Sequence, residues 1–308
     1  MSNILLLYKT HVHPIIIPIK MYIDKHNEYN SFYDMNPSMH IDTQGNIKIL
    51  VRSINYRKFY DKQFTMYENH SNSLYVVLSG KINNNESLNL DDFEVQNISY
   101  DYAIPTYPTY WMGMEDIRFI DENSLLVIIP ECNEGGNPSI FRATLENNTI
   151  HKFTICKPNI IEKNWMPYRD HENNEMVIYS LNPFKIKTIE EESFNEIIFP
   201  EEIMSQLAGY HGSTNGIQYT PLKNSNENIL FLIHKNNQNK IHHRWMLFNS
   251  KTNEIKLSNE FHFFKYSYIE FPVSLAIFNE RIFISLGVND DKAFIIETNE
   301  ESIEKCFV

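Results

Sequence analysis

Short, strongly apolar runs recur along this chain, each bounded by Asn, Asp, Gly or Pro, and their spacing limits the folds open to it. IKILVRSI (47–54), SLYVVLSGKI (73–82), SLLVIIPE (124–131), EMVIYSL (175–181), NILFLIH (228–234) and RIFISLG (281–287) are rich in β-branched or aromatic residues and read as strands. ENNT (146–149), DHENNE (170–175), NSNEN (224–228), KNNQNK (235–240) and NDDK (289–292) read as turns. The best helical stretch is Glu201–Leu207. A polar or charged segment leading into an apolar strand returns at Glu115, Glu162, His211 and Glu270, in steps of 47, 49 and 59 residues. An earlier unit begins near His40 and carries Arg52 and Asn55. Five units of this size match the ~40–50 residues of a four-stranded propeller blade. With no Gly-, Ser- or Pro-rich linker, the expectation is one all-β domain over residues 1–308, a five-bladed β-propeller, with a β-sandwich as the competing fold.

Composition narrows the partners. The formal charge is −12, from 39 acidic and 27 basic residues, which argues against a nucleic-acid ligand and an anionic membrane surface. Hydrophobic residues make up 42%, enough for a sizeable core. Cys132, Cys156 and Cys306 form no CxxC and are odd in number, so neither a disulfide framework nor structural zinc is expected and a reducing compartment is. The run Ile4 to Leu7 is too short for a signal sequence, and no stretch is long enough to span a bilayer. These features predict a soluble, cytoplasmic protein.

In a propeller the first strand of each blade faces the central channel. Charged groups are costly to bury unless paired or used, so polar segments at matching positions of five units point to one site. No Walker loop, GxGxxG or GxSxG elbow is present. His242 and His243 are neighbours on a strand and point to opposite faces, which disfavours a shared metal. No cofactor and no metal are expected.

Several segments carry a family resemblance. GMEDIRFID (113–121) resembles the E-D-x-R signature of glycoside hydrolase family 130, the five-bladed β-mannoside phosphorylases and mannosidases, and EKNWMPY (162–168) resembles a K-N-x-x-P strand of the same group. VRSINY (51–56), YHGSTNGIQ (210–218), FLIHKNNQNKIHHRWMLFN (231–249) and IEFPVSLAIFNERIFISLGVNDDKAF (269–294) are similar to a divergent branch found beside bacterial glycosyltransferases. The resemblance covers about residues 40 to 295 and departs from the family at Ile117, where Pro is usual.

It implies that Asp116 is a general acid, which needs a carboxylic acid at the glycosidic oxygen. Glu115 and Arg118 flank it; a turn pair or an ion pair with Arg118 is the plainer reading of these charges. An inverting phosphorylase needs a cationic pocket for phosphate, and Arg52, Lys163, Arg169, His234 and Arg244 are the candidates. Asn55, Asn164 and His211 are candidate sugar or phosphate contacts. Glu162, Glu270 and Asp290 are spare carboxylates for a base or for sugar hydroxyls. Trp165, Tyr168 and Tyr210 offer rings for stacking or for the core. The expected ligands are an oligosaccharide or glycoside with phosphate or a sugar phosphate, and the divergent branch suggests a glycosyltransferase partner. A binding-only carbohydrate propeller and a protein-interaction propeller are the alternatives.

Overall fold

In an isolated sheet of a soluble protein one face is apolar and the other polar. Here successive strand residues are apolar on both faces, so each sheet has to be covered on both sides. The structure is a computed structural model that describes residues 5–6, 10–17, 32–58, 64–66, 70–83, 86–156, 162–219, 228–237 and 240–307. It is a five-bladed β-propeller, as the repeat spacing predicts. From the channel outwards, blade 1 contains Tyr33–Ile41, Asn46–Ile54 and Ser71–Lys81, with Glu94–Asn97 and Trp111–Met112 both along the outer edge. Blade 2 runs Glu115–Phe119, Ser124–Ile128, Ile140–Glu146, Thr149–Ile155, and blade 3 runs Met166–Arg169, Glu175–Leu181, Phe184–Thr188, Asn195–Ile197. In blade 4 the inner position is split between His211–Gly212 and Ile217–Gln218, which both pair with Asn228–Asn237. Lys240–Asn249 follows outside them.

Blade 5 closes the ring. Its strands Glu270–Phe278, Arg281–Val288 and Lys292–Asn299 come from the end of the chain, and its outermost strand, His11–Pro14, comes from the beginning. Fastening His11–Pro14 to the last blade ties the beginning of the chain to its end, which is how a propeller protects its edges.

Five buried apolar clusters sit between neighbouring blades. Ile49, Val51, Val76 and Leu78 pack with Phe278, Phe283 and Ile295 of blade 5, while the alternate residues Leu50, Tyr75 and Val77 pack with Ile117, Leu125 and Val127 of blade 2. Strand periodicity of two thus fills both interfaces of a blade from one run of sequence. The cluster between blades 2 and 3 is the smallest, built on Leu126, Ile128, Ile140, Trp165, Val177 and Ile189. Ionic contacts of Arg142 with Glu175 and Glu190 supplement it.

The turns follow their residues. Asn147 and Asn148 both have positive φ in the two-residue hairpin between Ile140–Glu146 and Thr149–Ile155, the conformation that Asn tolerates best among side-chain-bearing residues. Asp170 caps its own turn by accepting from the amides of Glu172 and Asn174. The expected turn at 224–228 lies outside the described residues except for Asn228, as do 238–239 of the next one. The helix Glu201–Leu207 has the expected bounds, whereas the short terminal helix Glu300–Glu304, capped by Asn299 on Ser302, was not anticipated. The first blade begins at Tyr33 rather than near His40, because its inner strand precedes the turn at Asp42. Among the described residues, no helix is long and apolar enough to cross a membrane.

Candidate active site

Two inner strands are bulged at the same level of the channel. In blade 1 the register slips between Met35 and Ser38, with Asn36 at φ 41°; in blade 2 it slips between Glu115 and Arg118, with Asp116 at φ 43°. A bulge re-aims a side chain, and left-handed backbone at a non-glycine residue costs energy that the surroundings have to offset. Here the two bulges meet: Asn36 Nδ2 donates to Asp116 Oδ1 at 2.9 Å. Gly287 permits this approach, since a Cβ there would lie 2.1 Å from Asn36 Oδ1.

Arg52 reaches in from the second strand of blade 1. Its Nη2 donates to Glu115 at 2.8 Å, Nη1 to Asp116 Oδ1 at 3.4 Å, and Nε to Ser73 at 3.0 Å. Burial opposes the charge on this guanidinium, but Glu115, and Asp116 after it, hold its pKa above the ordinary arginine value. Among the described residues, both side-chain hydrogen bonds to Asp116 fall on Oδ1 and none on Oδ2. Tyr56 lies in the field of Arg52, Asp290, Glu115 and Asp116, and burial is the main cause that pushes its phenol up to about 12. Asp290 stands in a tight turn, with positive φ at both Asn289 and Asp290, and its charge acts on Tyr56.

A basic group adjoins the carboxylates. Arg118 is 3% exposed; its Nε donates to the Ser213 carbonyl at 2.7 Å and its Nη1 to the Asp116 carbonyl at 3.3 Å. Its Nη2 is buried and has no hydrogen-bond partner among the described residues. Burial pushes Arg118 below its ordinary pKa, and Asp116 opposes the shift. His234, on the second strand of blade 4, shares a hydrogen bond of 2.6 Å with Ser213 Oγ. Desolvation, then the charges of His243, His211, Arg118 and Lys163, lower its pKa to about 3. His234 is therefore a neutral imidazole near neutral pH and not the cation expected of it. Lys163 and His211 are exposed. They come from the leading edges of blades 3 and 4, where Gly212 packs on the Asn164 carbonyl so closely that a Cβ would lie 2.3 Å from it.

Other expected residues lie elsewhere or are already committed. Arg169 donates to Asp121 and Glu175 at the opposite end of the inner strands. The five residues from Asp116 to Asp121 place that end about 15 Å away at the rise of a strand. Arg244 is on the third strand of blade 4, where it bonds Tyr210 Oη, the Ser258 carbonyl and Gln206. Asn55 is fully buried and pins a loop, donating to the His70 carbonyl and accepting from Asn72 N. Glu270 is saturated by His243, Ser267 and the amides of Phe263 and Phe264. Burial works against its ionised form, but the His243 contact holds its pKa below the usual carboxylate range. Glu162 accepts from Trp165 Nε1 and Tyr179 Oη, a buried structural tie. Trp165, Tyr168 and Tyr210 are buried and pack in the core, so none offers a stacking face. His242 and His243 contact different carboxylates, Glu260 and Glu270.

Sequence reasoning missed Asn36. The signal available was Asn36-Pro37 inside a strand-like run, a dipeptide that disrupts regular pairing.

No family model and no curated protein sequence matches the chain. Comparison with solved structures does. A β-1,2-mannobiose phosphorylase from Listeria innocua, solved as its β-1,2-mannobiose complex, is 13% identical at TM-score 0.58, with 96% of each chain covered. A GDP-Man-dependent mannosyltransferase from Leishmania mexicana is 10% identical at TM-score 0.57, covering 96% of this chain and 90% of its own. A structure from the GH130 family of mannoside phosphorylases, which contains glycoside hydrolases that target β-1,2 mannosidic linkages in Candida mannan, is 14% identical at TM-score 0.57, covering 88% and 86%. At these identities the likeness is one of fold, and the fold resemblance read from the sequence motifs is the one found: the five-bladed propeller of the mannoside phosphorylases and related glycosidases.

Proposed function

We propose that this chain is a carbohydrate-active enzyme, one propeller domain over residues 1–308, that transfers a mannose-like glycosyl group to or from phosphate with inversion. The observation that carries the reading is a pair of atoms on one bulged strand that have no hydrogen-bond partner among the described residues: Asp116 Oδ2 and the buried donor Arg118 Nη2. A buried unsatisfied donor costs about 1–3 kcal/mol, more if charged, and an anion bound there would recover that cost. The structural neighbours include proteins named for mannobiose phosphorolysis and for GDP-Man-dependent mannosyl transfer, and both names support glycosyl transfer to or from a phosphate oxygen.

In the forward direction, a phosphate oxygen forms a bond to the anomeric carbon from the face opposite the leaving group. The glycosidic C–O bond breaks with its electron pair on the leaving oxygen. Asp116 gives its proton to that oxygen and is reprotonated as acid phosphate or solvent returns one. Arg118, Lys163 and His211 favour the phosphate, with neutral His234 as a hydrogen-bonding partner. Asn36, Arg52 and Glu115 orient Asp116, and Asp290 suits a sugar hydroxyl. The same groups suit a sugar-phosphate donor in the reverse direction.

The test is incubation with oligosaccharides plus phosphate, and with mannose 1-phosphate plus acceptors. Phosphate-dependent release of a sugar 1-phosphate, or its reverse, is the expected result. A binding-only propeller that assists a glycosyltransferase partner is the second reading, favoured by the Arg52–Asp116 contact, which gives Asp116 a structural use. Binding without turnover would select it.

A further inference from the structure

Outside the channel, the described residues hold a cleft of about 610 Å³ whose walls include His70, Tyr110, Trp111, Glu134, Gly135 and Gly136. Tyr110 is 73% exposed and Trp111 38%, with Tyr107 also exposed beside them. Large aromatic side chains concentrated on one exposed stretch mark a binding surface more often than chance exposure does. Rings that are apolar in body and polar at the tip suit a ligand such as a pyranose, with one apolar face and a rim of hydroxyls.

The stretch is held in place. Glu131 is buried and accepts from Tyr102 Oη at 2.8 Å and from Gly113 N at 2.6 Å, while its carbonyl accepts from Tyr107 N at 2.7 Å. Tyr110 accepts from Ser71 N at 2.8 Å, and Trp111–Met112 pairs in parallel with Ser71 and Asn72 on the edge of blade 1. One buried carboxylate thus fixes both ends of the aromatic segment, so its rings are presented without an ordering cost on binding.

One ring contact links the cleft wall to the candidate active site. The Trp111 ring packs edge-on against Tyr56 with centroids 5.7 Å apart, and Tyr56 lies in the field of Arg52, Glu115, Asp116 and Asp290. Trp111 and Glu115 are four positions apart, a span of at most roughly 14 Å.

Resting on the carbohydrate reading above, we propose that this cleft is a distal sugar subsite, so that the preferred ligand is an oligosaccharide of three or more units rather than a disaccharide. The units flanking the bond that breaks lie at Asp116; the next units run past Tyr56 and stack on Trp111 and Tyr110. Glu134 and the backbone at Gly135–Gly136 meet their hydroxyls.

The experiment is calorimetric titration of the full chain with manno-oligosaccharides of two to five units, repeated on Tyr110→Ala and on Trp111→Ala. The expected result is tighter binding of the trimer and longer chains than of the dimer by about tenfold, a gain worth ~1.4 kcal/mol, with that gain reduced in both variants. Tyr110→Ala is the safer variant for folding, because its ring is the more exposed. Equal affinity at every length, or a length gain that survives both substitutions, overturns the distal subsite and leaves the proposed chemistry standing. Binding of no length defeats the sugar reading and the subsite together. A change of mass in size-exclusion chromatography with the length gain intact would assign the aromatic patch to a second copy of the chain and overturn the proposal.

Discussion

Two arginines of this molecule make the same kind of contact and differ in consequence. Arg52 binds Glu115 and Asp116 at the start of the blade 2 inner strand; Arg169 binds Asp121, just past its end, and Glu175. The Arg52 side chain is 4% exposed and that of Arg169 33%. Water screens the second cluster, so its charges are worth little to each other. In the first, one buried guanidinium is held against two partly exposed carboxylates, so removing Arg52 leaves both of them uncompensated. Burial and neighbours, more than residue identity, separate a candidate site from a surface ion pair.

The largest expected contrast is in turnover. Asp116→Asn keeps the size of the side chain and an acceptor for Asn36 and Arg52 but cannot give a proton, so turnover on ordinary glycosides should fall about 10²–10⁴-fold. A substrate with an excellent leaving group should suffer much less, and Asp121→Asn at the other end of the strand should leave turnover near that of the parent. Equal loss on both substrates, together with a lower melting temperature, would make Asp116 part of the scaffold.

Stability comes next. Arg52→Met leaves Glu115 and Asp116 side by side without their buried cation and should cost about 3–5 kcal/mol in denaturant unfolding. A cost no larger than that of Arg169→Ala would erase the distinction between the two clusters.

A smaller effect lies in the pH dependence. The pKa of His234 is lowered from 6.5 to about 3 in the folded chain, mainly by desolvation. The unfolded chain therefore binds a proton at this position before the folded chain does. The associated stability is fully present above pH 6.5 and is lost progressively as pH falls from there towards 3. His234→Gln should flatten the difference in unfolding free energy across that window, and an unchanged slope would remove His234 from the account. The smallest effect is that of Arg169→Ala itself, less than about 1 kcal/mol, and diminished further by salt in the same unfolding assay.

Much of the architecture was readable in one dimension. Blade spacing, strand runs and Asn-rich hairpins depend on local preferences and on alternation, which sequence displays directly. Glu115, Asp116 and Arg118 could be singled out because three charges crowd a strand start, and Arg52 because it interrupts the apolar run Ile49–Leu50–Val51. Asn36 could not be paired with Asp116 from sequence, since 80 residues separate them and only the packing of blade 1 against blade 2 brings their bulges together. Nor could Glu270 be told from a working carboxylate, because the amides and the histidine that saturate it arrive from other strands.

The sequence by itself determined that this chain builds repeated, doubly covered sheets: strands such as Asn46–Ile54 and Asn228–Asn237 had to bury both faces, and that requirement is written in the order of their residues. Tertiary structure alone decided which charges meet. Arg52, Arg169 and Arg244 look alike along the chain, but strand number within a blade and height along the channel set whether a guanidinium reaches Asp116 or a solvated carboxylate. Those coordinates arise only when neighbouring blades pack side by side around the channel.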